Sequence, residues 1–182
     1  MTTRLATDVD FAAVAALRLA AYRAAPQFTI ADEAAVTRWD GQVLVAETPD
    51  LGLIATMQAI ACETLEQLRT GSGSLPPNEF NALPTLLLNR GATLPGLHYR
   101  GLNSRLRMLA LEMALADKRI QSLTGVVYAG APRLNLLRKL GYAFFAVAPH
   151  SHEHITGNTA EYFVVLQRAQ FAQASKRLTD LL

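Results

Sequence analysis

The fold is decided by the stretch Thr93-Leu94-Pro95-Gly96-Leu97-His98-Tyr99-Arg100-Gly101-Leu102-Asn103-Ser104-Arg105-Leu106, which follows a predicted strand and opens a predicted helix. A glycine-containing turn at such a place leaves backbone N–H groups unpaired in the first turn of the helix. Together with the helix dipole, these groups form an anion site suited to phosphates. The stretch is not a P-loop, because no Gly-Lys-Ser/Thr follows, and it lacks two glycines of the dinucleotide-binding fingerprint.

The elements on both sides of this turn are predicted from hydrophobic periodicity. Residues 85–94 favour a strand in which Gly91 marks a bulge, and Pro95 ends it. After the turn, apolar residues recur at helical spacing from Leu102 to Met113 and predict a helix of about four turns. Gly101 would let the backbone approach a ligand closely, and Arg100, Arg105 and Arg107 add positive charge around the same turn.

The order predicted for the whole chain is β-α-α-β-β-β-α-β-α-β-β, followed by a tail helix. This order predicts a mixed α/β sheet in a single domain over residues 1–182. Residues 70–84 are interpreted as the one long loop of the chain. The strands are predicted at residues 3–6, 43–46, 53–61, 85–94, 123–128, 142–148 and 162–167. The helices are predicted from residue 8 to a stop at Pro26, at 32–39, from 102 for four turns, at 132–140 and at 171–182.

Composition excludes several classes of protein. The chain has 182 residues, 51% apolar and 18% charged, which is typical of a globular domain with a full core. Its single cysteine, Cys62, excludes a disulfide framework and a multi-cysteine metal site. No apolar run approaches the roughly 20 residues of a membrane span, and residues 1–4 lead straight into patterned sequence. We therefore expect a cytoplasmic protein without membrane attachment.

Charge is distributed unevenly along the chain. Residues 90–139 hold nine Lys and Arg but two Asp and Glu, a balance of +7 within a chain of net charge +2. Such a segment predicts either an anionic partner or a solvated helix face. A nucleic acid is the least favoured partner, because the segment lacks interleaved aromatic residues.

These features resemble the GCN5-related N-acetyltransferase (GNAT) superfamily. The family loop Gln/Arg-x-x-Gly-x-Gly/Ala is similar, in register, to residues 98–103, and the order of elements is similar over nearly the whole chain. Residues 134–142 resemble the later family helix, which ends in Leu-Gly-aromatic. Three positions depart from the family: His98 replaces Gln or Arg, Asn103 replaces Gly or Ala, and Leu137 stands where many members have a tyrosine that protonates the leaving thiolate.

The resemblance implies a central, mostly antiparallel twisted sheet of about seven strands, flanked by helices. It also implies acetyl-CoA or another acyl-CoA as co-substrate, with no metal, and direct attack by an amine in a ternary complex. A backbone N–H near the end of the 85–94 strand would hold the thioester carbonyl oxygen. The residues expected to bind the cofactor are Thr93, Leu94, His98, Tyr99, Arg100, Gly101, Leu102, Asn103, Ser104 and Arg105.

Two residues are candidates for the proton transfers. Tyr128, at the end of a predicted strand, could replace the missing acid, or be a half-buried aromatic. His152 lies among the alternating histidines of residues 150–154, and it could act as a base in the acceptor site. The same histidines are also consistent with a polar hairpin tip or with a pair of metal ligands.

Three interpretations of function remain open. The first is transfer of an acetyl group to a small-molecule or peptide amine. The second is a long-chain N-acyl synthase that uses acyl carrier protein, because residues 89–93 are faintly similar to the arginine-bearing strand of autoinducer synthases and N-acyl amino acid synthases. The third is a non-catalytic acyl-CoA-binding module. A nucleic-acid or membrane partner is not expected, and the protein is expected to be a monomer or a homodimer.

Overall fold

The computed structural model describes residues 1–25, 29–74, 76–78, 80–97, 101–147, 155–156 and 161–182. The described strands are β1 (Thr2–Leu5), β2 (Thr29–Ile30), β3 (Gln42–Thr48), β4 (Gly52–Cys62), β5 (Thr85–Thr93), β6 (Ser122–Tyr128), β7 (Ala143–Val147), β8 (Ile155–Thr156) and β9 (Glu161–Gln167). The described helices are α1 (Phe11–Arg23), α2 (Glu33–Thr37), α3 (Leu65–Ser72), α4 (Leu102–Ala116), α5 (Leu134–Leu140) and α6 (Phe171–Thr179). Short 3-10 turns precede α1 (Asp8–Asp10) and α6 (Arg168–Gln170).

Seven strands form one sheet in the order β1-β3-β4-β5-β6-β9-β7. All neighbours are antiparallel except β5 and β6, which are parallel. Strands β2 and β8 form a separate antiparallel pair. The expectation of a mixed, mostly antiparallel sheet of about seven strands with a tail helix is confirmed.

Strands β5 and β6 are paired only at their start. The register joins Thr85–Leu87 to Ser122–Thr124, although both strands run on to Thr93 and Tyr128. A buried hydroxyl cluster holds the paired end: Ser122 Oγ lies 2.8 Å from Thr85 Oγ1, and Thr85 Oγ1 lies 3.1 Å from Thr124 Oγ1. Beyond this cluster the two strands separate, which opens a gap in the middle of the sheet.

The two faces of the sheet are covered by different helices. Helices α4, α5 and α6 pack on one face around Leu106, Leu123 and Phe171. On the other face, Leu68 of α3 packs with Leu87, and Val14 of α1 packs with alternate residues of β3. None of the helices within the described residues combines the length and apolar character that a bilayer crossing requires.

Helix α3 corrects the expectation of a loop over residues 70–84, because the helix runs to Ser72. It begins with a capping box in which Thr64 and Gln67 accept hydrogen bonds from each other's backbone N–H groups. The helix is two turns long and contains Gly71, which masked its periodicity. A Cβ at Gly71 would lie 2.8 Å from Leu87, so glycine lets α3 pack tightly against β5.

Candidate active site

The gap between β5 and β6 continues into a cavity of about 550 Å³. Its walls come from α1, the end of β5, the first turn of α4 and the beginning of α5. The residues that line it are Ala21, Tyr22, Ala25, Gly91, Ala92, Thr93, Leu97, Gly101, Leu102, Asn103, Ser104, Tyr128, Pro132, Arg133, Leu136 and Leu181. The volume and the mixed polar and apolar walls are those of a small-molecule site.

Helix α4 begins at this cavity, with Gly101 just before its first turn. Gly101 has a φ of +71°, a left-handed conformation that other residues adopt only with strain. No side chain of the described residues caps the helix, and the first intrahelical bond runs from Arg105 N to Gly101 O. The N–H groups of the first turn therefore have no acceptor within the helix, and their residues lie at the cavity wall, an arrangement that favours an anion there.

The predicted cofactor-binding residues are not all at this cavity. Those that line it are Thr93, Gly101, Leu102, Asn103 and Ser104. Leu94 instead packs against the core, and its N–H donates to Ile54 O at 2.8 Å. Arg105 is half-buried, and its buried Nε has no hydrogen-bond partner among the described residues. His98, Tyr99 and Arg100 lie outside the described residues.

A smaller cavity of about 130 Å³ lies inside the gap itself. It shares five residues with the larger one, so the two are adjacent: Tyr22, Gly91, Asn103, Tyr128 and Arg133. The inner cavity also reaches Leu88 of β5, Val127 of β6 and Leu137 of α5. A ligand that enters from the larger cavity would therefore end between the separated strands.

Of the two catalytic candidates, the structure describes Tyr128 but not His152. Tyr128 ends β6, lies opposite Glu161 in the register of β9, and lines both cavities. Leu137 is fully buried and lines the inner cavity, so the position of the usual family tyrosine presents only hydrocarbon there. His152 lies outside the described residues.

The predicted bulge at Gly91 is confirmed. In the pairing of β4 with β5, Thr56 lies opposite Ala92 and Gln58 lies opposite Asn89, so two residues of β5 face the single residue between Thr56 and Gln58. Its first residue, Arg90, has a φ of +45°. The bulge bends β5 beside the inner cavity and turns local backbone groups away from regular pairing.

Tyr22 of α1 at the site, and the buried Arg18 behind it, were not predicted from the sequence. Tyr22 lines both cavities, and burial raises the pKa of its phenol. Arg18, one turn earlier, is fully buried, and burial lowers the pKa of its guanidinium to about 10. It donates to Arg38 O at 2.8 Å and to Gln58 Oε1 at 3.2 Å. The sequence signal that could have located Arg18 was an arginine on the apolar face of an alanine-rich helix.

Arg107 was predicted only as a positive charge near the turn before α4, and Arg133 was not predicted; both line the inner cavity. Arg107 of α4 is buried and donates to Asn103 Oδ1 at 2.7 Å and to the Tyr142 hydroxyl at 3.4 Å. Arg133 precedes α5, and burial together with the charge of Arg107 lowers the pKa of its guanidinium to about 10. With this pKa, the side chain of Arg133 remains cationic at neutral pH.

The basic residues that the structure describes in segment 90–139 do not form one surface patch. Arg90 is buried, donates to Ala35 O at 3.1 Å and pairs with Asp40 at 3.3 Å. Arg119 is exposed and pairs with Asp117 at 2.7 Å. The charges of the segment are therefore divided between core contacts, surface pairs and the two cavities.

The single cysteine lies away from this site. Cys62 is buried in the core, and burial raises the pKa of its thiol to about 11. Within the described part of the chain, no group of three or more His, Cys, Asp and Glu residues is placed to hold a metal ion.

Comparisons with known proteins identify the fold. No family model and no curated protein matches the sequence. The structure is similar to ribosomal-protein-alanine N-acetyltransferase from Brucella melitensis, with a TM-score of 0.66, 17% identity, and 92% of this chain and 99% of that chain covered. It is also similar to the GNAT-like decarboxylase GphF in complex with isobutyryl-CoA, with a TM-score of 0.63, 17% identity and coverage of 92% and 99%.

A third similar structure is spermidine N-acetyltransferase from Vibrio cholerae in complex with CoA and spermine, with a TM-score of 0.59, 12% identity and coverage of 94% and 97%. In each case the similarity extends over nearly the full length of both chains. The protein therefore has the fold of the GCN5-related N-acetyltransferase superfamily.

Proposed function

We propose that the protein is an acyl-CoA-dependent N-acyltransferase, with residues 1–182 as a single catalytic domain. The observation that carries this proposal is the start of α4, where Gly101 in a left-handed conformation and uncapped N–H groups face a cavity of about 550 Å³. The CoA pyrophosphate would lie on these N–H groups, and the pantetheine would run into the gap between β5 and β6.

The reaction begins when the acceptor amine, as the free base, attacks the thioester carbonyl carbon. A C–N bond forms, the C–S bond breaks, and the amine proton is lost as the CoA thiolate leaves. A backbone N–H of β5 near the bulge at Arg90 and Gly91 would hold the carbonyl oxygen as negative charge develops on it. The cavities orient both substrates, which supplies much of the remaining acceleration.

Tyr128 is proposed as the proton donor to the thiolate, because its position at the end of β6 brings it to both cavities. His152 is retained as a proposal for the base that accepts the amine proton. Acetyl is the simplest acyl group for this scheme, and the acceptor is a small-molecule or peptide amine.

Replacement of Gly101 by valine tests the cofactor position. The variant Gly101→Val places a branched side chain where the pyrophosphate would approach the backbone, and we expect CoA affinity to fall at least about tenfold in calorimetry. The space is otherwise open, because a Cβ at Gly101 would meet only Leu182 Cδ2, at 3.7 Å. A loss of CoA affinity would therefore reflect a clash with the ligand and not a clash within the protein.

Gly52→Val is the matched control. Gly52 also has a positive φ, of +66°, and a Cβ there meets nothing within 4 Å. Both variants carry similar backbone strain, so both should lose a similar amount of stability. Equal CoA affinity in the two variants would contradict the placement of the pyrophosphate at α4.

A further inference from the structure

The inner cavity contains more positive charge than an acetyl group requires. Arg107 and Arg133 both line it, and no carboxylate of the described residues lies within 4 Å of either guanidinium. The hydrogen bonds of Arg107 go to neutral oxygens, those of Asn103 and Tyr142. Arg107 is buried and Arg133 is half-buried, and two such cations beside a cavity are unfavourable unless an anion joins them.

The surroundings of Arg133 lead to the same conclusion. Burial and the charge of Arg107 both lower its pKa, whereas the groups that raise it are the phenols of Tyr128 and Tyr22. Phenols are neutral at pH 7. Of the other charged residues at this cavity, Arg90 is paired with Asp40, and Glu161 on β9 is a buried carboxylate that forms no ion pair with Arg107 or Arg133.

The positions of Arg133 and Arg107 indicate which substrate would supply the anion. Arg133 lies at the junction of the two cavities and precedes α5, one turn before Leu137. Residues four apart share a helix face. Leu137 stands where the resemblance implies the group near the thiolate, so under the proposed function Arg133 borders the reacting end of the donor. Arg107 lies on α4, the helix whose first turn forms the proposed phosphate site.

We propose that the inner cavity is a carboxylate subsite, and that the acyl donor carries a short dicarboxylic acyl group, of the malonyl to glutaryl class, whose free carboxylate lies between Arg107 and Arg133. The inference rests on the proposed function, because it places the thioester in the gap. The cavity of about 130 Å³ has room for such a short chain and excludes a long one. Charge-assisted hydrogen bonds to two guanidinium groups provide the selectivity.

The experiment compares binding of CoA, acetyl-CoA and succinyl-CoA by calorimetry in the wild type and in three variants. The wild type should bind succinyl-CoA about 10- to 100-fold more tightly than acetyl-CoA. Arg133→Gln should remove this preference while CoA affinity is kept, and Arg133→Lys should retain part of it. Arg138→Gln is the matched control: Arg138 is an exposed residue of α5 whose guanidinium lies 5.3 Å from the Phe144 ring centroid, and this variant should behave as the wild type.

A second arm separates failure of this inference from failure of the proposed function. S-succinyl- and S-acetyl-N-acetylcysteamine carry the same thioesters without the nucleotide, so an Arg133-dependent preference for the succinyl compound supports the subsite even if CoA does not bind. Equal affinity for both acyl groups in the wild type, or a preference that survives in Arg133→Gln, overturns the proposal. Arg133-dependent binding of a free amino acid over its methyl ester, with no donor preference, would assign the carboxylate to the acceptor and likewise overturn it.

Discussion

Tyr128 is the residue on which the proposed chemistry depends most directly, because Leu137 has no proton to give. The replacement Tyr128→Phe removes one hydroxyl at the junction of the two cavities and leaves the ring in place. We expect kcat to fall about 10²- to 10⁴-fold with nearly unchanged cofactor affinity, as for a group used mainly in the transition state. Steady-state kinetics and calorimetry measure the two effects.

Tyr162→Phe is the control for this prediction. Tyr162 is a half-buried residue of β9 whose ring packs edge-on to Phe144, at 5.7 Å between centroids. Loss of the Tyr162 hydroxyl should leave kcat within about twofold of the wild-type value. A decrease in kcat of less than threefold for Tyr128→Phe would remove Tyr128 as the acid and leave water or the 150–154 segment in that role.

The residues of the site differ in how well a sequence reveals them. Gly101 and the first turn of α4 were predicted because an anion site made of backbone groups depends on neighbours in the chain. Tyr22 and Arg133 were missed, and Arg107 was predicted only as a positive charge near that turn, because α1, α4 and the residue before α5 bring the three together from distant positions. Periodicity can place such a residue on a helix face, but it does not tell which cavity that face borders.

At the level of elements, strand β1 is held at the edge of the sheet by a network of charges. Arg4 of β1 bonds Asp10 in the 3-10 turn before α1 at 2.7 Å and Glu47 of β3 at 2.9 Å. Asp10 also accepts from Thr7 N at 2.8 Å. One guanidinium therefore joins the first strand, the first turn and the neighbouring strand.

The variant Asp10→Asn should lower the free energy of unfolding at pH 7 by about 1–2 kcal/mol, because Arg4 is partly exposed and keeps Glu47 as a partner. The Arg4 guanidinium holds the pKa of Asp10 well below its usual range. A carboxyl group that is more acidic in the folded state stabilises the fold above its unfolded pKa, and this contribution is lost as the pH falls.

Thermal unfolding from pH 7 down to about pH 2 tests this prediction. The difference in Tm between wild type and Asp10→Asn should be largest at neutral pH and should shrink below about pH 4. Asp8→Asn, a change at an exposed neighbour, should have little effect at any pH. A difference in Tm that is independent of pH would show that packing, rather than charge, links these elements.

The elements themselves were predicted, except for helix α3 and the two-residue strands β2 and β8. Helix α4 and strands β5 and β6 have long, regular patterns whose apolar faces are buried in the structure. Helix α3 was missed because two turns containing Gly71 give too short a pattern. The capping pair of Thr64 and Gln67 was the local signal that could have located its start.

Over the whole molecule, the arrangement of basic residues predicts a salt-dependent affinity for CoA. Arg105, in the second turn of α4, has a buried Nε without a partner among the described residues. Arg105→Ala should weaken CoA binding by about two- to tenfold and should reduce the decrease in affinity with added salt. Arg119→Ala removes the same charge at an exposed residue paired with Asp117, and it should change neither quantity. Identical salt dependence in the wild type and Arg105→Ala would exclude Arg105 from the binding site.

The short pairing of β5 with β6 also bears on how the molecule opens. Three residue pairs join the unit β1-β3-β4-β5 to the unit β6-β9-β7, whereas strands within each unit are paired along most of their length. Native-state hydrogen exchange should therefore reveal two cooperative units of the sheet that open with different free energies. The boundary between the units should fall after Leu87 in β5 and after Thr124 in β6. A ligand in the gap contacts both units, so it should raise the protection of both together, and the two transitions should merge into one as the gap is filled.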